Sequence, residues 1–275
     1  MQDHYRGKLR PFTHYSIGWL PRWLPLITRV SALANVGAKL KPLRWLGERL
    51  GISARRRLPA FARHRDLTRR VAEAQFSDNA DVLVFADSFT KAFRPEVIPA
   101  AARVLRSTGA EVGCTADACC GLTWVSTGQR DGATRRLANL VDKLDDGTER
   151  DIVVLEPSCA ATIRDEAPKL VGGDAAERVA RRVLGKWGVA DVSESSSCCG
   201  VAGNFGFEAE HFDVSMRVAE HSIIPALERG GEGALVLTDG FSCTMQVSQI
   251  DPERETEHLA IAMDPEGPAR RILPE

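Results

Sequence analysis

Two Cys-Cys-Gly corners constrain this chain more than any other feature. The first is Ala118-Cys119-Cys120-Gly121. The second is Ser196-Ser197-Cys198-Cys199-Gly200, which runs on through Val201-Ala202-Gly203-Asn204-Phe205-Gly206-Phe207. After a helix-length gap each corner is followed by an apolar run ending in Ser-Cys: Ile152-Val153-Val154-Leu155-Glu156-Pro157-Ser158-Cys159, then Ala234-Leu235-Val236-Leu237-Thr238-Asp239-Gly240-Phe241-Ser242-Cys243. Cys120 and Cys159 are 39 positions apart, Cys199 and Cys243 are 44 apart, and six of the seven cysteines fall at these places, with Cys114 outside them. A repeat offset of 79 to 84 residues in a 275-residue chain favours two modules, each large enough for a buried core.

The pattern between the cysteines is α/β. Asp81 to Ala86 is a short apolar run suited to a buried parallel strand, and Pro95 to Arg106 follows with helical spacing. Ala110 to Cys114 reads as the next strand, Ala133 to Leu144 as a helix, and Ile152 to Leu155 as a third strand feeding a helix through Lys169. Such an order predicts a parallel doubly wound sheet, with functional loops at the carboxyl ends of the strands. The second half starts short: a helix at Ala175 to Lys186 and a weak strand at Val189 to Val192 occupy the space where the first half fits a whole strand-helix-strand unit. Its back half predicts a helix from His211 to Arg229, a strand at Ala234 to Leu237, a helix from Cys243 to Ile250 and a last turn or two at His258 to Met263.

The formal net charge of -1 conceals an asymmetry. Residues 1–76 carry 16 Lys or Arg against 4 Asp or Glu, and the remainder carries 20 against 33. Because the basic residues are interleaved with Trp19, Trp23 and Trp45, they suggest a helical arm lying on the acidic body or on an acidic partner, and point away from nucleic acid. A peripheral membrane contact is the minority reading of the same segment. Pro21, Arg22, Pro25 and Arg29 interrupt its richest stretch well short of the ~18 apolar residues of a membrane span. An odd cysteine count, no secretory leader and adjacent pairs ill-suited to disulfides predict a reducing, cytoplasmic setting.

Adjacent cysteine side chains diverge, so they poorly chelate one ion but can ligate different irons of a multinuclear cluster. Gly121 and Gly200 would let the backbone turn tightly against an inorganic core, while Ser158 and Ser242 could hydrogen-bond its sulfides. Trp124, Phe205 and Phe207 could keep water away. Structural zinc is disfavoured because no place has a Cys-x2-4-Cys knuckle. Nucleophilic catalysis lacks a histidine near either corner, and inert buried thiols explain a single cysteine better than a repeated motif. His211 and His221 read as solvent-facing or capping residues.

These motifs carry a resemblance. Cys119 to Trp124 with Ser126-Thr127-Gly128-Gln129, Glu156 to Cys159, Cys198 to Glu208 and Asp239 to Cys243 are similar to the cysteine-rich (CCG) domain. That domain occurs in heterodisulfide reductase and in the iron-sulfur subunits of glycolate oxidase and anaerobic glycerol-3-phosphate dehydrogenase. It also forms the carboxyl-terminal part of FAD-linked D-2-hydroxy acid dehydrogenases, the nearest in pattern, whose linker the segment Arg10-Pro11 to Leu20-Pro21 resembles. The resemblance implies two Rossmann-like modules, at 77–172 and 173–275, the second incomplete, behind a basic helical arm at 1–76. It implies an iron-sulfur cluster of the 4Fe-4S type on Cys119, Cys120, Cys159, Cys198, Cys199 and Cys243, with Cys114 as the spare thiol. The implied role is electron transfer for a flavoenzyme that oxidises a small 2-hydroxy acid, with FAD on a separate partner protein or domain and no competence alone. The chain departs from the fused relatives in lacking the FAD domain, the ferredoxin-like cysteine pair and a His-Cys-His stretch before the second corner, and in placing Asp87-Ser88 where a leading cysteine is expected. Truncation is therefore expected, and a cluster-free remnant or partner-binding scaffold is the alternative reading.

Overall fold

The computed structural model describes residues 3–5, 7–115, 117–183, 198–231 and 233–267. Strands β1 (Val82–Phe85), β2 (Val112–Cys114) and β3 (Asp151–Val154) form a parallel sheet in the order β2-β1-β3. Val82 faces Val112 on one side and Asp151 on the other. All four β1 residues are buried, as an uninterrupted apolar run in a sheet covered on both faces requires.

On one face Leu83, Phe85 and Ile152 pack with Leu137 and Leu140 of the helix Arg130–Leu144 and with Val179 of the helix Gly173–Arg182. On the other, Val82, Val84 and Val112 pack with Ile98, Ala101 and Ala102 of the helix Val97–Ser107. Burying one such aliphatic side chain stabilises by roughly 1.5–3 kcal/mol, and truncating Leu137 to Ala would cost about 2–5 kcal/mol. A bridge from Ile152 to Val183 continues the sheet past β3. The expected strand at Val189 to Val192 lies outside the described residues.

The second half is less regular. Strands β4 (Val236–Leu237) and β5 (Thr256–Glu257), the latter not expected from the sequence, make a two-stranded parallel sheet beside a small core of Cys199, Val201, Phe207, Ile223, Met245 and Val247. The single helix expected from His211 to Arg229 is two helices, Phe212–Glu220 and Ile223–Gly230. Pro225 has no N–H to continue the ladder, and Ser222 at the break donates its hydroxyl to Cys198 O at 2.9 Å and Val218 O at 3.0 Å. The last described helix, Leu259–Ala262, returns to the first sheet, where Ala260 joins its core.

The N-terminal segment forms the helices Phe12–Tyr15, Leu20–Arg29, Ser31–Gly37, Lys41–Arg49 and His64–Glu73. It is tied to both corners. Arg10 donates to Thr127 O at 2.9 Å and Gly128 O at 3.1 Å, the Trp19 indole donates to Gln129 Oε1 at 2.8 Å, and Ser53 N donates to Phe207 O at 2.8 Å. Leu33 and Trp45 are left 76% and 55% exposed on its outer side. Among the described residues no helix is long and apolar enough to cross a membrane.

Candidate thiol site at two repeated corners

The first corner leaves β2 and turns into the helix Leu122–Ser126. Gly121 sits at φ 77°, where a Cβ would come 3.2 Å from Ala133 O, so the turn requires glycine. Its N–H donates to Cys119 Sγ at 3.4 Å. Cys159 lies in the short helix Pro157–Ala161 after β3, and its Sγ lies 3.0 Å from that of Cys120. Cys119 precedes Cys120 in the chain, so three thiols lie together at this corner. The interaction with Cys120, and then burial, raise the Cys119 thiol well above the usual range. The hydrogen bond from Cys120 draws Cys159 down, but burial and the charges of Asp87 and Glu156 outweigh it and push that thiol up to about 12.

The second corner repeats the first closely. Gly200 lies at φ 89°, its Cβ position would fall 2.3 Å from Ser215 O, and its N–H donates to Cys198 Sγ at 3.4 Å. Cys243 packs against the core that holds Cys199. The interaction of the two thiols, helped by the Val201 and Ala202 N–H groups, lowers Cys199 to about 6 against the effect of burial, and raises Cys243. Cys198 is exposed beside them.

The structure does not bring Cys114 to either group. Strand alternation points it with its partner Val84 into the core on the helix Val97–Ser107 side, whereas Cys120 and Cys159 belong to the opposite face. Ser158 turns its hydroxyl to Glu156 Oε1 at 2.7 Å within its own loop, and Ser242 Oγ accepts the Gly203 N–H of the second corner at 3.3 Å. Trp124 and Phe207 are buried as water-excluding side chains, while Phe205 stacks on His211 at 4.1 Å and His211 pairs with Glu208 at 2.7 Å.

Three residues gain importance from the fold. Asp87 follows β1 and caps the helix Ser88–Phe93 through Phe89 N at 2.8 Å. Glu156 follows β3, and its carboxyl accepts Phe241 N at 2.8 Å, linking the two corners. These carboxyl ends flank the point where strand order reverses, the usual ligand crevice of such sheets. Arg56, fully buried, donates to Gly206 O at 2.8 Å and Ser215 Oγ at 2.7 Å, and its positive charge faces Cys199. Burial lowers its own pKa to about 10. Arginine in the run Arg55-Arg56-Arg57 gave no sequence signal for this role; only packing selects the middle one.

The donor set suits iron. At the first corner the clustered, buried thiols are unfavourable as thiolates until a cation compensates them, and thiolate is the usual ligand of iron-sulfur centres. The cavity beside Cys119, Cys120 and Cys159 is about 20 Å³, the room of one water, with Pro21 and Ser88 in its wall.

Two parallel sheets, each with a thiol corner beside it, define an α/β cysteine-cluster protein. The chain belongs to the CCG cysteine-rich domain family, whose pattern matches residues 82–164 and again 171–248. It is 33% identical over 84 residues to D-2-hydroxyglutarate dehydrogenase of Pseudomonas putida, a match covering 30% of this chain and 8% of that protein. It is 22% identical over 284 aligned residues to one of the subunits of anaerobic glycerol-3-phosphate dehydrogenase from Escherichia coli, covering 84% of this chain and 71% of that relative. The chain thus spans under a tenth of the first relative's length and most of the second's. No solved structure matches it significantly.

Proposed function

We propose that this chain is the iron-sulfur electron-transfer part of a FAD-linked oxidoreductase acting on a small 2-hydroxy acid of the glycolate, D-lactate or 2-hydroxyglutarate type. The observation that carries the reading is the double convergence of thiols, with Cys120 Sγ 3.0 Å from Cys159 Sγ and Cys243 packed against the core that holds Cys199. Cys119, Cys120 and Cys159 would hold one centre of the 4Fe-4S type, and Cys198, Cys199 and Cys243 a second. Such a centre supplies one-electron carriage. The protein's part is to fix the ligands with Gly121 and Gly200, to aim N–H groups at the sulfurs, and to set the Arg136 and Arg56 charges near Cys119 and Cys199.

The substrate class follows from the name of the hydroxyglutarate-oxidising relative, and the need for a flavin partner from both relatives being dehydrogenases. The exposed apolar and basic side of the N-terminal helices, at Leu33, Val36 and Trp45, is the face we assign to that partner in a reducing, cytoplasmic setting. The second reading, a cluster-free scaffold, is favoured by one observation: the first corner's cavity holds about 20 Å³. To separate the two, the chain is combined with the flavin dehydrogenase of the same source, and hydroxy-acid-driven dye reduction is followed. The electron-transfer reading expects no oxidation by this chain alone and restored dye reduction by the pair. A pair no faster than the flavoprotein alone would favour the scaffold.

A further inference from the structure

A cavity of about 590 Å³ lies between the helix Leu20–Arg29 and the helix Arg130–Leu144, within the usual volume of small-molecule sites, and it reaches the first corner at Cys119. Its walls carry mostly one sign of charge. Arg29 ends the first helix, Arg135 and Arg136 stand on the second, and Lys91 comes from the helix Ser88–Phe93. Against these four cations, Asp117 is the one carboxylate in the lining among the described residues.

Asp117 is already compensated, because Lys91 Nζ donates to its carboxylate and Lys143 Nζ to its backbone carbonyl. The three guanidinium groups are not. Arg29, Arg135 and Arg136 have no carboxylate partner among the described residues, whereas elsewhere Arg103 is taken up by Asp264 and Arg178 by Asp145. Arg136 is also held in place: its guanidinium carbon lies 4.7 Å from the centre of the Trp124 ring, and its charge acts on Cys119. A concave site whose cations outnumber its anions concentrates negative ions, and the guanidinium fork matches the paired oxygens of a carboxylate or phosphate. Since Arg29 stands on a different wall from Arg135 and Arg136, a guest with two negative charges engages both walls where a single charge engages one. Arg29 and Arg135 are exposed, so a dissolved ion reaches them.

We propose that this cavity binds a small dianion, a dicarboxylate or a phosphate, between Arg29 on one wall and Arg135 and Arg136 on the other, beside Cys119. The inference goes beyond electron transfer and does not require the thiols to hold iron.

The test is isothermal titration calorimetry of the full chain with succinate, with inorganic phosphate and with propionate, which carries one carboxylate. Saturable binding of succinate or phosphate is expected, about tenfold or more tighter than that of propionate. Binding of succinate alone assigns the site to dicarboxylates, and binding of phosphate alone to phosphate compounds. Arg29→Gln and Arg135→Gln, both surface changes that leave the core untouched, should each weaken the bound dianion about three- to tenfold. Arg55→Gln, an exposed cation outside the cavity, should leave it unchanged. No saturable binding of either dianion would overturn the proposal. So would propionate binding as tightly as succinate and phosphate, or Arg55→Gln weakening the dianion as much as Arg29→Gln does, since the attraction would then belong to the basic surface at large.

Discussion

Glu156 Oε2 accepts the backbone N–H of Phe241 at 2.8 Å. The end of β3, which leads into Cys159, thereby holds the start of the helix that carries Cys243, and one carboxyl group fixes the spacing of the two corners. Burial first, and then the Asp87 charge, raise Glu156 from 4.5 to about 7. Asp87 itself is held in place as the cap of the helix Ser88–Phe93.

A pH dependence follows. The folded-state pKa of Glu156 lies above its unfolded value, so the protonated form favours folding. Its contribution is complete below the unfolded pKa of 4.5 and is lost as pH rises through about 7. Glu156→Gln keeps one acceptor oxygen, for Phe241 N–H or for Ser158 but not both, and cannot ionise, so its loss of a hydrogen bond is constant across pH. Thermal melts from pH 5 to 8 should show the variant gaining on the wild type by on the order of 2 kcal/mol across that range. Parallel curves would mean that Glu156 does not titrate there.

Gly200 is the tightest turn of the second corner. Gly200→Ala adds a left-handed penalty of about 1–2 kcal/mol to a Cβ placed 2.3 Å from Ser215 O. Gly203→Ala, at φ 68° with its Cβ 3.7 Å from Ser126 Oγ, meets the backbone penalty alone. The first variant should melt several degrees below the second, as read by calorimetry. Equal melting temperatures would show that the corner relaxes around the methyl group.

Arg56 joins the segment between the helices Lys41–Arg49 and His64–Glu73 to the second corner. Arg56→Ala leaves the acceptors of Gly206, Ser215 and Gln246 unpaired in a buried place, at a cost of about 3 kcal/mol or more. Arg55→Ala removes an exposed pair with Asp213 and should stay within about 1 kcal/mol of wild type. Urea titrations of both variants check this contrast, which fails if the two lose stability alike.

Much of the first sheet was legible. Val82-Leu83-Val84-Phe85 reads as a buried parallel strand because nothing in it is polar, and the helices and strands to Leu170 fall close to their expected places. Both corners were legible because glycine at a left-handed turn and a repeated thiol pair are local signals. The face on which Cys114 sits was written in strand parity with Val112, but loop cysteines have no parity to compare it with. The division at Ser222 was announced by Pro225, whose effect depends on how Ser222 is held by Cys198 O. Contacts such as Arg10 to Thr127 span 117 positions and leave no trace in a local pattern.

The measurement that tests the central claim most directly is iron and acid-labile sulfide content, with EPR spectra, after anaerobic reconstitution of the wild type and of Cys120→Ser, Cys199→Ser and Cys114→Ser. The account predicts iron and sulfide in roughly equal amounts. It predicts loss of iron in Cys120→Ser and a smaller loss in Cys199→Ser, because Cys198 of the second corner is exposed while Cys120 and Cys159 of the first are buried. Cys114→Ser should match the wild type. A colourless protein without sulfide, or iron that all three variants retain equally, would contradict it.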